Sequence, residues 1–132
     1  MSTPKTTATS FLTYANGNVA TGAKGMLARS EVASISSVRS VASRLRVNCT
    51  VVLPLRKALL RPGNIVNGPA LMAAADVVLW LAIKARHGVG YDALTSDLNT
   101  AFLRPARNEA VYGTGRILRS GRRRFYGVAE CH

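Results

Sequence analysis

From Val47 onward, apolar and polar positions follow two different rhythms. "VNCTVVLPL", residues 47–55, is rich in β-branched residues and partly alternates, which predicts a strand. "RKALLRPGN" follows, and its Pro62 and Gly63 predict a turn. The rhythm then changes, and "NGPALMAAADVVLWLAIKA" predicts a helix. Asn67 or Gly68 suits its N-cap, and Pro69 suits its first turn. Lys84 and Arg86 lie at the C-terminal end, where cations complement the dipole, and Gly88 and Gly90 stop the run. His87 reads as a helix-terminal residue on the same dipole argument. "ALTSDLNTAFL", "AVYGTGRILRS" and "GRRRFYGVAECH" read as three strands, with "RPARNE" a turn and Gly121 marking the last hairpin. A strand, a long helix and then antiparallel strands make an α+β arrangement, and the Ala-rich first half of the helix lets a sheet wrap closely.

Residues 1–46 are patterned differently, and a boundary is expected between them and a domain at 47–132. "MSTPKTTATSFLTYANGNVATGAKG" reads as a loop or flexible tail. In "MLARSEVASISSVRSVASRLR", Leu27, Val32, Ile35, Val38, Val41 and Leu45 recur at roughly helical spacing, which predicts an amphipathic helix. The segment is basic, Ser-rich and nearly free of acids, the composition of an organelle-targeting peptide. A surface helix behind a loose tail accounts for the same residues. Cytoplasmic location is the first expectation, and a mitochondrial or other organelle address is the second.

At 132 residues the chain is long enough for one domain with a real core. Lys plus Arg number 18 against 6 Asp plus Glu, a net charge of +12 that favours polyanionic partners. Cys49 and Cys131 make no disulfide framework, and with His87 and His132 they are too few for a zinc site. Asn48-Cys49-Thr50 is a glycosylation sequon, relevant only in a secretory pathway, and no signal peptide is expected. No metal or redox cofactor is expected.

One acidic residue, Asp76, stands inside the apolar helix. From Pro69 to Ile83 the run falls short of the ~20 residues a membrane span needs, and a central Asp opposes insertion by roughly 2.5–3.5 kcal/mol. A buried core helix fits better, apolar nearly all round and so buried nearly all round. Asp76 would share a face with Met72, Ala73, Trp80 and Ile83. A buried carboxylate is either hydrogen-bonded for structure or given chemistry to do, and composition alone leaves both open.

"RPGNIVNGPALMAAADVVLWLAI" with "ALTSDLNTAFLRPARNEAVYGTGRILRSGRRRFYGVAEC" resembles the hotdog-fold acyl-CoA thioesterases, and within them the phenylacetate-degradation type, over about residues 47–130. Asn67 stands at the family's His position, Gly68 at its first Gly, and Asp76 nine residues after Asn67. Thr95, Asp97, Leu98, Asn99, Phe102, Leu103, Arg104, Pro105 and Ala106 match a second motif. The resemblance implies a long central helix wrapped by a curved antiparallel sheet. It implies a homodimer or tetramer with sites at the interface. Gly68 N–H would meet the thioester oxyanion and Asn67 would position the carbonyl. Asp76 from the other subunit would be base or nucleophile, and Thr95 would orient water. Coenzyme A enters as part of the substrate. Arg104, Arg107, Arg122, Arg123 and Arg124 would offer its phosphates a basic rim, and Trp80, Met72 and Tyr91 would line the acyl pocket or simply pack.

Two departures from the family pattern bear on this. Pro69 replaces the second Gly, which removes one first-turn N–H but leaves that of Gly68. Family members also continue past "RRRFYGVAE" into one more strand inside the sheet. The resemblance therefore predicts either a shortened form or a sheet completed by the N-terminal segment. A non-catalytic hotdog protein that binds acyl-CoA or a partner chain is the alternative. A basic nucleic-acid module using "GRRRFY" ranks below it, because 6% aromatics is thin and no nucleic-acid motif is present.

Overall fold

A computed structural model describes residues 6–16, 37–43, 46–88, 90–107 and 109–132. Strands β1 (Ala8–Asn16), β2 (Ser37–Ser43) and β3 (Arg46–Leu53) precede a short 3₁₀ turn at Lys57–Leu59. The two-residue strands β4 (Leu60–Arg61) and β5 (Ile65–Val66) form a small hairpin that leads into helix α1 (Gly68–His87). Strands β6 (Ala93–Phe102), β7 (Val111–Ser120) and β8 (Arg124–Cys131) follow. Six strands make one antiparallel sheet in the order β2-β3-β7-β8-β1-β6, and α1 packs on one face of it.

Local chemistry explains the elements around the helix. Gly63 and Asn64 take positive φ, 89° and 55°, in the turn between β4 and β5. Asn67 N–H donates to Leu59 O at 2.8 Å, tying the helix start to the end of the 3₁₀ turn. At the other end Gly88, φ 102°, closes the helix by donating to Lys84 O at 2.8 Å. Ala70, Leu71, Ala74, Ala75, Val78, Leu79, Ala82 and Ile83 form its buried stripe. They meet Cys49, Val51 and Leu53 of β3, Val111 of β7, and Phe125 and Ala129 of β8 in two adjoining clusters. Each large aliphatic side chain buried there contributes about 1.5–3 kcal/mol.

Strand β3, the helix and strands β6 to β8 lie where the sequence predicts them, and His87 is the last helical residue. The helix is longer than the Pro69–Ile83 run, at 20 residues, so by length and composition it could cross a membrane. Its buried stripe makes it the core of this sheet instead. Nor is it buried all round: Met72, Ala73, Asp76, Val77, Trp80 and Leu81 are only half-buried.

The N-terminal reading is corrected at two places. Residues 8–16, read as a flexible tail, form a strand inside the sheet, between β8 and β6. "SFLTY" alternates and is rich in strand formers, and it has pairing partners on both edges. Residues 37–43, read as part of a helix, form edge strand β2. The β-branched Val38 and the serines around it have poor helix propensity, and β3 supplies a ladder. Leu27, Val32, Ile35 and Leu45 lie outside the described residues. The N-terminal segment therefore contributes β1 and β2 to the six-stranded sheet.

Candidate active site

The helix start is built by its cap. Asn67 has extended backbone, φ −69° and ψ 150°, and its Oδ1 accepts from Ala70 N–H at 2.8 Å. With Oδ1 engaged, the amino group is what this side chain can offer a ligand carbonyl. Asn67→Ala should cost about 1 kcal/mol, seen as a lower urea midpoint at unchanged m-value.

Gly68 comes next, half-buried under Phe102. A Cβ built on it would sit 3.2 Å from the Phe102 ring, so the glycine is what lets this aromatic close over the first helical residue. Pro69 is exposed and has no N–H to offer. The Gly68 N–H is therefore the leading first-turn donor at the positive end of the helix dipole.

Asp76 lies two turns further on, half-buried, and Thr95 Oγ1 of β6 donates to its Oδ1 at 2.5 Å. A hydroxyl has one proton and two acceptor positions. Having given its proton to Asp76, Thr95 is left as an acceptor for a water lying beside the carboxylate. Met72 and Trp80, one turn before and after Asp76, are half-buried on the stripe that the sheet leaves partly open. Lys84 Nζ lies 4.7 Å from the Trp80 ring centre and bridges to Asp92 at 3.2 Å. Tyr91 instead packs with His87 and Phe125 beyond the helix end, ring centres 5.0 and 5.6 Å away.

The arginines that the sequence groups into one rim are separated into two sets. Arg104 and Arg107 lie at the helix N-terminal end. Arg104 Nε donates to Thr6 O at 3.2 Å, and Arg107 Nη1 to Gly63 O at 3.0 Å. Arg122, Arg123 and Arg124 lie at the β7–β8 turn, beside the helix C-terminus, where Ser120 Oγ is 3.3 Å from His87 Nε2. A 20-residue helix separates the two sets by about 28 Å. Arg119, Gly121, Arg123, Arg124, Phe125 and Tyr126 line a shallow cavity of about 360 Å3 at that turn. Phe102 enters the sequence only as part of the strand motif; that it covers Gly68 is seen in the structure, because an aromatic in a strand does not say which glycine it meets.

Cys49 and Cys131 are buried free thiols on strands separated by β7. Burial pushes Cys131 up to about 11 and raises Cys49 as well, so both are held protonated. No cluster of three metal-ligating side chains exists among the described residues.

Comparison with known proteins points the same way as the helix and its cap. Residues 63–132 match the sequence profile of the thioesterase superfamily. A candidate esterase of Thermoplasma volcanium is 36% identical over 73 residues, 55% of this chain and 54% of that protein. One of Thermoplasma acidophilum is 32% identical over 76 residues, 58% of this chain and 57% of that protein. The chain thus spans about half the length of these relatives. A candidate thioesterase structure from Lactococcus lactis superposes with a TM-score of 0.62 at 19% identity, covering 74% of this chain and 89% of that one. A conserved protein from Pseudomonas aeruginosa gives 0.57 at 21% identity, covering 80% and 99%. At these identities the structural likeness speaks for the fold.

Proposed function

The chain belongs to the thioesterase superfamily, whose hotdog fold it has, and on that premise we propose that it hydrolyses acyl-CoA thioesters at sites shared between two copies. One observation carries the shared site. Gly68 and Asp76 stand on the same helix, eight residues and so about 12 Å apart along its axis. A thioester carbonyl held by the Gly68 N–H is out of reach of Asp76 in that copy. A second copy, its helix laid against the half-buried stripe, brings its own Asp76 to the carbonyl.

In this mechanism the Gly68 N–H and the helix dipole polarise the carbonyl, and the Asn67 amino group fixes its direction. Asp76 takes a proton from a water that Thr95 orients, and the water attacks the carbonyl carbon. The tetrahedral oxyanion collapses, the C–S bond breaks, and the leaving thiolate receives the proton. Met72 and Trp80 flank the reacting centre and form the acyl wall. Phosphates of the coenzyme fall to Arg122 and Arg123 on the exposed turn, where two adjacent guanidinium groups suit a polyanion. The seating of β1 between β8 and β6 supports this reading over that of a non-catalytic binder of acyl-CoA or a partner chain.

Free-thiol release from a panel of acyl-CoAs tests the activity, and light scattering tests the assembly. Asp76→Ala and Gly68→Val copies, each inactive alone, should recover about a quarter of wild-type turnover when refolded together as an equal mixture of dimers. Mixed dimers without recovered turnover would refute the shared site. Arg122→Ser with Arg123→Ser should raise KM for acyl-CoA about tenfold, an effect of about 1.4 kcal/mol that shrinks with added salt. A thioester lacking the nucleotide should show no such change.

A further inference from the structure

We infer that residues 6–16 act as the positioning strand of this site: they seat β6, and thereby hold Thr95 against Asp76 and Phe102 over Gly68. The inference rests on the thioesterase reading for its catalytic consequence and on the sheet order for its structural one. In the order β8-β1-β6, the ladder that ties β6 to the six-stranded sheet runs through β1. Ala8 pairs with Phe102 and Tyr14 with Thr95, so the two site residues of β6 lie opposite the two ends of β1. On its other edge β1 is locked to β8, from Ala8 opposite Cys131 to Ala15 opposite Arg124.

The register is set at both ends. Between Thr13 and Tyr14 the pairing passes from Asp97 to Thr95, a bulge at Ser96 beside the catalytic hydroxyl. A bulge reverses the alternation of a strand and re-aims the side chain next to it. Facing Asp76 is therefore a property of how β1 and β6 are registered, not of β6 alone. At the start of β1, buried Thr7 donates its N–H to Cys131 O at 2.6 Å. Its carbonyl accepts from Leu103 N–H at 2.8 Å and Arg104 N–H at 3.2 Å, immediately after Phe102. The Arg104 side chain closes the clamp on Thr6 O at 3.2 Å.

Two proline substitutions in the full chain test this. Leu12 sits mid-β1, opposite Leu98 and Gly127, and Ser40 sits mid-β2 at the far edge of the sheet. Leu12→Pro should speed hydrogen exchange in 93–102 while amides of α1 and β7 keep their protection, and should lower kcat about tenfold with little change in KM. Thr95→Val should cost activity in the wild type and nothing further in Leu12→Pro, because the same hydrogen bond is already lost. Ser40→Pro should leave kcat within about threefold of wild type, and Leu12→Val should behave as wild type. Leu12→Gly keeps every ladder hydrogen bond and should give the same ordering at lower amplitude, which covers the case that the proline variant does not fold. Unchanged exchange in 93–102, equal loss of protection in α1, or equal loss of activity in Ser40→Pro would each overturn the inference. Selective opening of 93–102 in a chain that turns over no thioester would uphold the strand's role on β6 and fail the thioesterase reading alone.

Discussion

Asp76→Asn should lower kcat for thioester hydrolysis by about two orders of magnitude or more, the size of a lost general base, while the fold survives. The two parts of that expectation come from different features of the residue. Asparagine has nearly the shape of aspartate and keeps an acceptor oxygen, so the Thr95 hydroxyl can still donate to it. The position is half-buried and the side chain keeps nearly the same volume, so the packing around it is retained. What asparagine cannot do is take a proton from water. KM should move little, because in the proposed mechanism the carboxylate acts on the attacking water and not on the bound thioester. Thermal unfolding and light scattering on the same samples separate loss of chemistry from loss of structure. Turnover by Asp76→Asn within about threefold of wild type, with the dimer intact, would remove the carboxylate from the mechanism. Thr95→Val should show a smaller loss of the same kind, since it leaves the base in place and only frees its orientation.

The central part of the fold is legible because its signals are local. Asn67 before Pro69 and Gly88 after the basic turn mark the helix, and the structure uses each in that role. Asp76 stands out since its neighbours on both sides are apolar. The remainder depends on sheet order, which no window of sequence contains. "SFLTY" carries strand residues, but its neighbours are Gly- and Thr-rich, and its partners lie more than 80 positions away in β6 and β8. Val38 and Val41 fit a helical spacing, but Ser37, Ser40 and Ser43 around them have weak helix propensity. Arg107 and Arg123 look alike in sequence and end at opposite ends of α1. Thr95 can be matched to a motif, but the bulge at Ser96 that turns it toward Asp76 arises from pairing with β1.

Gly115→Val should be the most destabilising single change in the sheet, lowering stability by about 3 kcal/mol, the upper end for overpacking a tight interior. Gly113, Gly115 and Gly127 face the helix, and their missing side chains let α1 lie almost on the sheet backbone. A Cβ at Gly115 would stand 3.0 Å from Val78 Cγ1 and 3.2 Å from both C and O of Val78. A side-chain methyl could rotate away, but the helix backbone can move only as a unit. Gly127 differs: its nearest neighbour, at 2.7 Å, is Leu79 Cδ2, the tip of a flexible chain, although Arg116 O at 3.0 Å also limits it. Gly127→Ala should accordingly cost less than Gly115→Val. Gly90→Ala, with nothing within 4 Å, should fall within about 0.5 kcal/mol of wild type. For a chain of this size about 3 kcal/mol lowers Tm by roughly 10–15 °C, well within the reach of calorimetry. A Gly115→Val protein with wild-type Tm would mean that the helix is not seated on β7 as described. Val78 lies only two residues beyond Asp76, so lifting the helix there also lifts the carboxylate from Thr95. A displacement near 1 Å can cost about 100-fold in rate, so among folded Gly115→Val molecules kcat should fall further than the remaining stability accounts for.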